Sequence, residues 1–407
     1  MINSHTEQIL SRAPLPLIES FPITVLLVDD QQIIAEAVRR MLEDQTDIKL
    51  HYCNDPSKAI QIANEVHPTV ILQDLVMPDV DGLLLVKYFR ANPLTHEVPL
   101  IVLSAEEQPK IKAEAFALGA NDYIVKLPDK VELVARIRYH SAGYIRLLER
   151  DQAFKRLEES QKILNAELAE AADYVRSLLP AALIGAIKTS WRFLPSTQLG
   201  GDAFGYHWID QDHLAFYLLD VCGHGVGAAL LSITLMNVLR SQTLQNTDFK
   251  NPSQVLSALN ESFLMENHNE MFFTMWYGVY DKVEKHILYS CGGHPPAVLI
   301  STDNKGKISA QDLKTPGLAV GAMSGSKFQN AVCKVSAGDT LYLFSDGVYE
   351  LTKPDGTVLK LSEFIEELKK PSDPMVEDVD RILNFSQALN GSGPFADDFS
   401  LIQLVFA

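Results

Sequence analysis

Cysteine is scarce in this sequence, and long apolar segments are missing. The 407 residues include only four cysteines, Cys53, Cys222, Cys291 and Cys333. No two of them form a Cys-x-x-Cys pair, which excludes a thiolate zinc site and a disulfide framework and predicts a reducing, cytoplasmic environment. The most apolar stretch, residues 226–239, is too short to span a bilayer, and the N-terminus does not have the pattern of a signal peptide.

Positive charge is also in short supply. The chain has 35 Lys and Arg residues against 52 Asp and Glu residues, a net charge of −17. Such a balance argues against a nucleic-acid-binding protein and against a polybasic membrane anchor. The hydrophobic fraction of 47% is ordinary for a globular protein. The length predicts two or three domains, so we expect a folded protein that binds neither nucleic acid nor membranes.

After an N-terminal tail, residues 1–20, the first domain is predicted over residues 21–141. Short apolar runs at 24–28, 69–72, 100–103 and 123–125 alternate with helical stretches. Continuous apolar runs are typical of strands that are buried on both faces of a parallel sheet. The pattern predicts a doubly wound α/β domain.

A helical linker is predicted over residues 142–178. No proline or glycine occurs from Tyr144 to Leu178. The a positions of a heptad pattern are Leu147, Phe154, Gln161, Leu168 and Val175, and the d positions are Arg150, Leu157, Leu164, Ala171 and Leu178. The seam predicts a coiled coil and a homodimer. The alternative is one long amphipathic helix that packs on its own domain.

Residues 179–407 have a different pattern. Antiparallel strands separated by turns are predicted at 214–219, 274–280, 286–290, 297–300, 340–344 and 399–406. Helices are predicted at 226–240 and 253–266. This half of the chain is therefore expected to be an α+β domain.

Four strands of the first domain end in chemically useful residues, which are Asp29-Asp30, Asp74, Ser104 and Lys126. Ligands of open α/β sheets bind beyond the carboxyl ends of the strands. The three carboxylates predict a Mg²⁺ site. Next to the metal and Lys126, Asp74 is expected to attack a phosphoryl donor, and Ser104 to hydrogen-bond the acyl phosphate that forms.

This segment resembles the response-regulator receiver domain. Residues 74–82 look like its phosphoacceptor loop, and Tyr123 occupies the place of its switch aromatic. The resemblance implies that Asp29, Asp30, Asp74 and the backbone of Val76 hold Mg²⁺, and that a sensor histidine kinase or phosphotransfer protein phosphorylates Asp74. One departure is Leu127, which separates Lys126 from the proline that directly follows the lysine in many receivers; we expect it to shift a loop.

Four acidic motifs mark the second half of the chain. They are Gly200-Gly201-Asp202, Asp220-Val221-Cys222-Gly223-His224-Gly225, Ser345-Asp346-Gly347 and Asp397-Asp398. Each places a carboxylate at a strand edge or in a turn, and several carboxylates in one place repel unless a divalent cation neutralises them. All-oxygen ligands favour Mg²⁺ or Mn²⁺, and two such ions can clamp a phosphoryl group for attack by hydroxide.

These motifs resemble the metal-dependent, 2C-like protein phosphatases, in the bacterial branch that controls sigma factors. The resemblance implies a β-sandwich flanked by helices, with two Mg²⁺ or Mn²⁺ ions. By motif, Asp220 bridges both metals with the Val221 carbonyl assisting, and Asp202, Asp346 and Asp397 complete the ligand set. His224 is either a proton donor to the leaving group or a residue that organises its loop.

The sequence therefore predicts a response regulator in which phosphorylation of Asp74 controls a serine/threonine phosphatase. Its implied substrate is a phosphorylated protein, an anti-sigma factor antagonist. One departure is Gly205, where many relatives carry a further aspartate. It favours an alternative, a catalytically weak adaptor that sequesters a partner. In a second alternative the receiver is inert and the linker is a constitutive dimeriser.

Overall fold

The computed structural model describes residues 21–78, 80–105, 108–303, 305–371, 376–391 and 393–407. The predicted N-terminal tail lies outside these residues. The described chain forms two compact units that divide between Ile163 and Leu164. In this part of the chain, every helix is too short or too polar to cross a membrane.

The first unit is an α/β domain. Its elements are β1 (Ile23–Val28), α1 (Gln32–Leu42), β2 (Ile48–Cys53), α2 (Ala59–Val66), β3 (Val70–Asp74), β4 (Val76–Met77), β5 (Val80–Asp81), α3 (Gly82–Ala91), β6 (Leu100–Ser104), α4 (Pro109–Ala117) and β7 (Asp122–Val125). Five strands form a parallel sheet in the order β2-β1-β3-β6-β7. The doubly wound prediction is confirmed.

Strand β2 is the one strand of this sheet that the sequence pattern did not indicate. It lies at the sheet edge and is only partly buried, so its apolar residues alternate with polar ones. The central strands are buried on both faces: Leu26 and Val28 pack into one core, Val25 and Leu27 into another. This arrangement brings the carboxyl ends of β1, β3 and β6 to one edge.

Helix α5 (Lys130–Ser177) is 48 residues long. Its first turns belong to the core of the first unit, where Leu133 and Ile137 are fully buried. The middle of the helix leaves the predicted seam exposed, with Phe154 at 60%, Leu157 at 64% and Leu164 at 53% exposure. Toward its end, Leu168, Ala172 and Val175 are partly buried while the residues around them are exposed. A continuous helix is confirmed, and a coiled coil remains a prediction.

The second unit contains ten strands and four further helices within the described residues. They are β8 (Ile187–Leu194), β9 (Asp202–Trp208), β10 (His213–Val221), α6 (Val226–Ser241), α7 (Pro252–Ser262), β11 (Phe273–Asp281), β12 (His286–Gly292), β13 (Ala297–Thr302), β14 (Ile308–Leu313), β15 (Ala331–Lys334), β16 (Thr340–Phe344), α8 (Leu361–Leu368), α9 (Asp378–Asn390) and β17 (Phe399–Phe406). All six predicted strands and both predicted helices are present.

The ten strands form two antiparallel sheets, in the orders β15-β12-β11-β10-β9 and β14-β13-β16-β17-β8. Apolar residues of both sheets, among them Phe204, Trp276, Leu341 and Leu404, make a shared core. Helices α6 and α7 cover the outer face of the first sheet, and α8 and α9 cover that of the second. The β-sandwich flanked by helices is therefore present.

Strands β8, β9, β14 and β15 were not predicted. Each is a sheet edge or contains too many polar or small residues for a clear alternation, as in Ile308–Leu313, which is largely exposed. Tertiary pairing, and not local propensity, makes these segments strands.

Candidate functional site

The carboxyl edge of the parallel sheet holds a compact acidic cluster. Ligand oxygens of Asp29, Asp30 and Asp74 lie within 4.8 Å of one another. Asp29 and Asp74 are fully buried, and burial is the main reason why the pKa of Asp29 is raised. Three oxygen donors at this distance fit one Mg²⁺ ion.

Lys126 connects two members of this cluster. Its Nζ lies 2.7 Å from Asp74 Oδ2 and 3.0 Å from Asp29 Oδ2. Burial lowers the pKa of Lys126, but the hydrogen bonds with Asp74 and Asp29 outweigh it, so that the pKa is raised. The next residue, Leu127, has a left-handed φ of +58°. The extra residue is thus accommodated in the turn, while the ammonium group still reaches both carboxylates.

The loop after Asp74 is held against the cluster. The Val76 N–H donates to Asp74 Oδ1 at 3.2 Å, which places the backbone of Val76 beside the predicted phosphoacceptor. The neighbouring strands contribute Ser104 and Tyr123, both buried, with exposures of 1% and 6%. The structure therefore brings the predicted receiver residues other than Tyr123 to one edge of the sheet. Tyr123 pairs with Val102 and lies two residues before the end of β7.

The acidic motifs of the second unit meet at one end of the sandwich. Asp202 and Asp220 are cross-strand partners at the ends of β9 and β10 in the first sheet. Asp346 follows β16, and Asp397 precedes β17, in the second sheet. A hydrogen bond of 2.5 Å from Ser400 Oγ of β17 to Asp202 Oδ2 joins the two sheets. Both sheets therefore contribute carboxylates to one cluster.

Electrostatic repulsion dominates this cluster. The pKa of Asp220 rises to about 7, because it is buried and faces Asp346, Asp397 and Asp398. Burial, followed by the charges of Asp220 and Asp398, raises the pKa of Asp202 well above its ordinary value. Burial and Asp397 raise that of Asp346. Such a group is stabilised by cations that neutralise it.

The donor set fits divalent ions. Asp202 Oδ1 is buried and has no hydrogen-bond partner among the described residues, so a lone pair is available for a metal. Within the described chain, the carboxylates of the second unit do not form a triad as compact as that of Asp29, Asp30 and Asp74. A wider spacing is what two ions about 3.5–4 Å apart require, since their ligands lie on opposite sides of the pair.

Asp398 anchors the loop that carries Asp202. Its Oδ1 accepts hydrogen bonds from the N–H and hydroxyl of Ser196 at 2.8 and 3.0 Å. Its Oδ2 accepts from the N–H groups of Gly201 and Asp202 at 2.7 and 3.3 Å. With both oxygens used in this way, Asp398 positions Asp202 from the opposite sheet.

The supporting role of two serines was not identified from the sequence. Ser345 Oγ donates to the Asp398 carbonyl at 2.9 Å and accepts from the Ser400 N–H at 3.1 Å, and Ser400 holds Asp202 as described above. Ser345 belongs to one predicted acidic motif and Ser400 follows another by two residues, and this proximity is the only sequence signal for their role.

Glycines allow the backbone segments of this cluster to approach closely. A Cβ at Gly201 would lie 2.5 Å from the Val221 carbonyl oxygen, and one at Gly347 would overlap the Asp398 carbonyl. Glycine therefore lies next to the aspartate in these motifs because the backbone segments are in close contact there.

Gly205 and Asp202 lie on opposite faces of β9. Alternation along β9 directs Phe204 into the core between the sheets and Ala203 toward the helices. Gly205 pairs with Tyr217, and a Cβ at this position would overlap the Tyr217 hydroxyl. A carboxylate at position 205 would thus face the helical layer and not the acidic cluster, so Gly205 gives no support to the adaptor alternative.

His224 of the second acidic motif and His294, a histidine outside the motifs, differ sharply in environment. His224 is exposed in a turn between Gly223 and Gly225, whose φ angles are +92° and +89°. His294 is 1% exposed, and its Nδ1 lies 2.7 Å from the Thr274 hydroxyl. Burial, followed by the charge of Lys314, lowers the pKa of His294 to about 3. Thr274 is the cross-strand neighbour of Asp220, so the neutral imidazole supports the strand beside the cluster.

The matches to known families also divide the chain into two domains. Residues 25–138 match the response regulator receiver domain. Residues 210–406 match the family described as stage II sporulation protein E, SpoIIE. The second match begins in the turn before β10 and includes three of the four acidic motifs.

Two individual proteins and one solved structure are also similar to this chain. The phosphoserine phosphatase RsbU of Bacillus subtilis is 29% identical over 265 residues, which are 62% of this chain and 74% of RsbU. The phosphoserine phosphatase RsbP of the same organism is 29% identical over 161 residues, 39% of this chain but only 38% of RsbP. The SiaA-PP2C domain of Pseudomonas aeruginosa has a similar fold, with a TM-score of 0.52 and 19% identity over 61% of this chain and 99% of that domain.

Proposed function

We propose that this chain, in which a response regulator receiver domain precedes a phosphatase domain of the SpoIIE family, is a phosphorylation-controlled serine/threonine protein phosphatase. The observation that carries the proposal is the meeting of Asp202, Asp220, Asp346 and Asp397 from two sheets at one end of the sandwich. A site of this kind has the chemistry of metal-dependent phosphate ester hydrolysis.

In the receiver, Asp74 is the proposed phosphoacceptor. A phosphohistidine on a kinase or phosphotransfer protein supplies the phosphoryl group, and the Asp74 carboxylate attacks it. Asp29, Asp30 and the Val76 carbonyl would hold Mg²⁺ with Asp74. Lys126 already contacts Asp74 Oδ2, and its ammonium group would stabilise the charge of the acyl phosphate. Ser104 and Tyr123 would respond to the phosphorylated state as the switch residues.

In the phosphatase domain, Asp202, Asp220, the Val221 carbonyl, Asp346 and Asp397 would hold two Mg²⁺ or Mn²⁺ ions. When bound, the ions supply a hydroxide nucleophile and charge stabilisation for the phosphoryl group. The chain's own contribution is to keep the carboxylates in place through Asp398, Ser345 and Ser400. His224 is exposed, four residues after Asp220 in the chain, and is the proposed proton donor to the serine leaving group.

The proposed substrate is a phosphoserine or phosphothreonine of a protein that antagonises an anti-sigma factor. Support comes from the likeness to two proteins that are named phosphoserine phosphatases. We further propose that the protein acts in the cytoplasm as a homodimer, joined by the exposed seam of α5. The four cysteines are free, as a reducing compartment requires.

The test is phosphatase turnover on phosphoserine protein substrates with Mn²⁺, with and without beryllofluoride on the receiver. We expect Asp220→Asn to lower kcat by more than about 100-fold, beyond the effect of losing a residue that only supports a ligand. Beryllofluoride should change turnover in the wild type and leave Asp74→Asn unchanged. Folded wild-type protein that binds a phosphorylated partner without turnover would instead support the adaptor.

A further inference from the structure

A cavity of about 270 Å³ lies in the second unit, apart from the acidic cluster. It is bordered by the end of α5, by β9 and by the last turns of α6, and its polar lining residues include His207, Tyr217, Asn237 and Arg240. Asn237 and Arg240 are exposed, His207 is half-buried and Tyr217 is buried. The lining therefore extends from the surface into the interior.

The nitrogen groups of this cavity lack partners within the described chain. His207 Nε2 is buried and makes no hydrogen bond. Arg240 makes no hydrogen bond or ion pair with any described residue, although the protein carries 17 more negative than positive charges. A guanidinium group presents a planar fork of donors that suits carboxylate and phosphate oxygens, and that of Arg240 is available for such a ligand.

Electrostatics also favours a negative ligand here. Burial lowers the pKa of His207, and the charge of Arg240 lowers it further, which shows that the guanidinium acts on the imidazole. No carboxylate is among the residues that line the cavity in the described structure. An anion placed between Arg240 and His207 would supply the missing hydrogen-bond acceptors and the missing counter-charge.

We propose that the cavity lined by His207, Asn237 and Arg240 is a binding site for a small oxyanion of the phosphate type. Arg240 offers a two-pronged contact, and the Asn237 amide and His207 Nε2–H offer further donors. A volume of about 270 Å³ has room for such an anion together with several waters, each of which occupies about 30 Å³ in the liquid.

The cavity is separate from the phosphatase centre. Helix α6 starts at Val226, beside His224, and Arg240 lies near its other end. Its 16 residues span about 24 Å at 1.5 Å per residue. The anion would therefore be bound at the end of α6 that is remote from the acidic cluster, and the proposal does not depend on the proposed function.

The test is calorimetric titration of the full chain with inorganic phosphate after removal of divalent metals. Without metals, carboxylates dominate both acidic clusters, and Lys126 in the first is already paired with Asp29 and Asp74, so neither cluster should bind the anion. We expect one site in the wild type and at least about 10-fold weaker binding in Arg240→Gln, the loss of one charged contact. Arg150→Gln is the matched control, because Arg150 pairs with Asp151 on α5 and does not line the cavity.

A second variant and a spectrum guard against misfolding. Asn237→Leu should also weaken phosphate binding, and phosphate should shift the ring resonances of His207 in wild-type protein but not in Arg240→Gln. Absence of binding to the wild type would overturn the proposal, as would unchanged binding to Arg240→Gln. Equal losses in Arg240→Gln and Arg150→Gln would show an effect of net charge only and would overturn it as well.

Discussion

Close contacts between backbone segments constrain several glycines of this protein. Gly82, at the start of α3, illustrates the point. A Cβ on Gly82 would overlap the backbone of Leu75 in the phosphoacceptor loop. Gln73, beneath Asp74, also donates from Nε2 to the Gly82 carbonyl at 2.6 Å. Gly82 therefore helps to hold the loop after Asp74 in place, although it has no side chain that could take part in a reaction.

Gly82→Ala should destabilise the first unit by about 1–3 kcal/mol, because the added methyl group overpacks a closed contact. Differential scanning calorimetry of the full chain measures the effect. Gly143→Ala in helix α5 is the matched control, since a Cβ there meets nothing within 4 Å. It should stabilise the helix by about 0.5–1 kcal/mol. A neutral Gly82→Ala would contradict the contact.

Asp398→Asn tests the anchoring of the Asp202 loop. An amide nitrogen cannot accept hydrogen bonds, so one of the two pairs of contacts from Ser196 or from Gly201 and Asp202 is lost. We expect Mn²⁺ affinity to fall about 10–100-fold, as for other groups that orient a metal ligand. Mn²⁺ titration followed by electron paramagnetic resonance measures this, with Asp312→Asn on the exposed strand β14 as the control. An unchanged affinity would show that Asp398 does not position Asp202.

At the scale of elements, α5 is attached to β7 by an ion-pair cluster. Asp122 accepts from Arg136 at 2.6 Å and contacts His140 Nε2 at 3.1 Å. Burial alone would raise the pKa of Asp122, but the hydrogen bonds from Arg136, His140 and the Tyr123 N–H outweigh it and lower the pKa. The ionised carboxylate thus holds the start of the helix to the sheet.

The stabilisation by Asp122 should depend on pH. Because its folded pKa is below the ordinary 3.8, the contribution is present above about pH 4 and is lost as the pH falls through the folded pKa. Asp122→Asn should therefore destabilise the first unit by about 1–3 kcal/mol at pH 7. Calorimetry from pH 7 to pH 3 should show this difference shrinking below pH 4. A difference that is constant with pH would mean that packing, and not charge, is responsible.

The exposed middle of α5 provides a second prediction at this scale. Leu164 occupies a d position and is 53% exposed, while its neighbour Ile163 is outside the seam and 62% exposed. If a second copy covers the seam, Leu164→Lys should convert the dimer to a monomer in sedimentation velocity, because it buries a charge in the interface. Ile163→Lys should leave the dimer intact. Dimers that survive both substitutions would contradict the coiled coil.

For the whole molecule, metal binding should stabilise the two units separately. Each acidic cluster carries an excess of negative charge without a metal ion, and a ligand that binds only the folded state stabilises it by about 2.7 kcal/mol at 100 times its Kd. Mn²⁺ should therefore raise both calorimetric transitions of the wild type. In Asp220→Asn the rise of the second-unit transition should shrink while that of the first unit remains. Loss of both shifts in this variant would show that the two sites are not independent.

The sequence alone determined that the chain has two domains and which acidic residues could form a site in each. Parallel strands end at a common edge, so Asp29, Asp30, Asp74 and Lys126 could be placed together from local runs of apolar residues. The acidic motifs of the second unit could also be recognised from local sequence, because each is a short pattern of neighbouring residues. The unpredicted strands lack such a local signal.

Only the tertiary structure decided which groups support the second site. The hydrogen bond between Ser400 and Asp202 joins residues 198 positions apart, and Asp398 holds Ser196 across 202 positions. The face on which Gly205 lies, and the meeting of His207 with Arg240, follow from strand register and helix packing. Such contacts depend on how two sheets and their helices stack, and no short stretch of sequence contains that information.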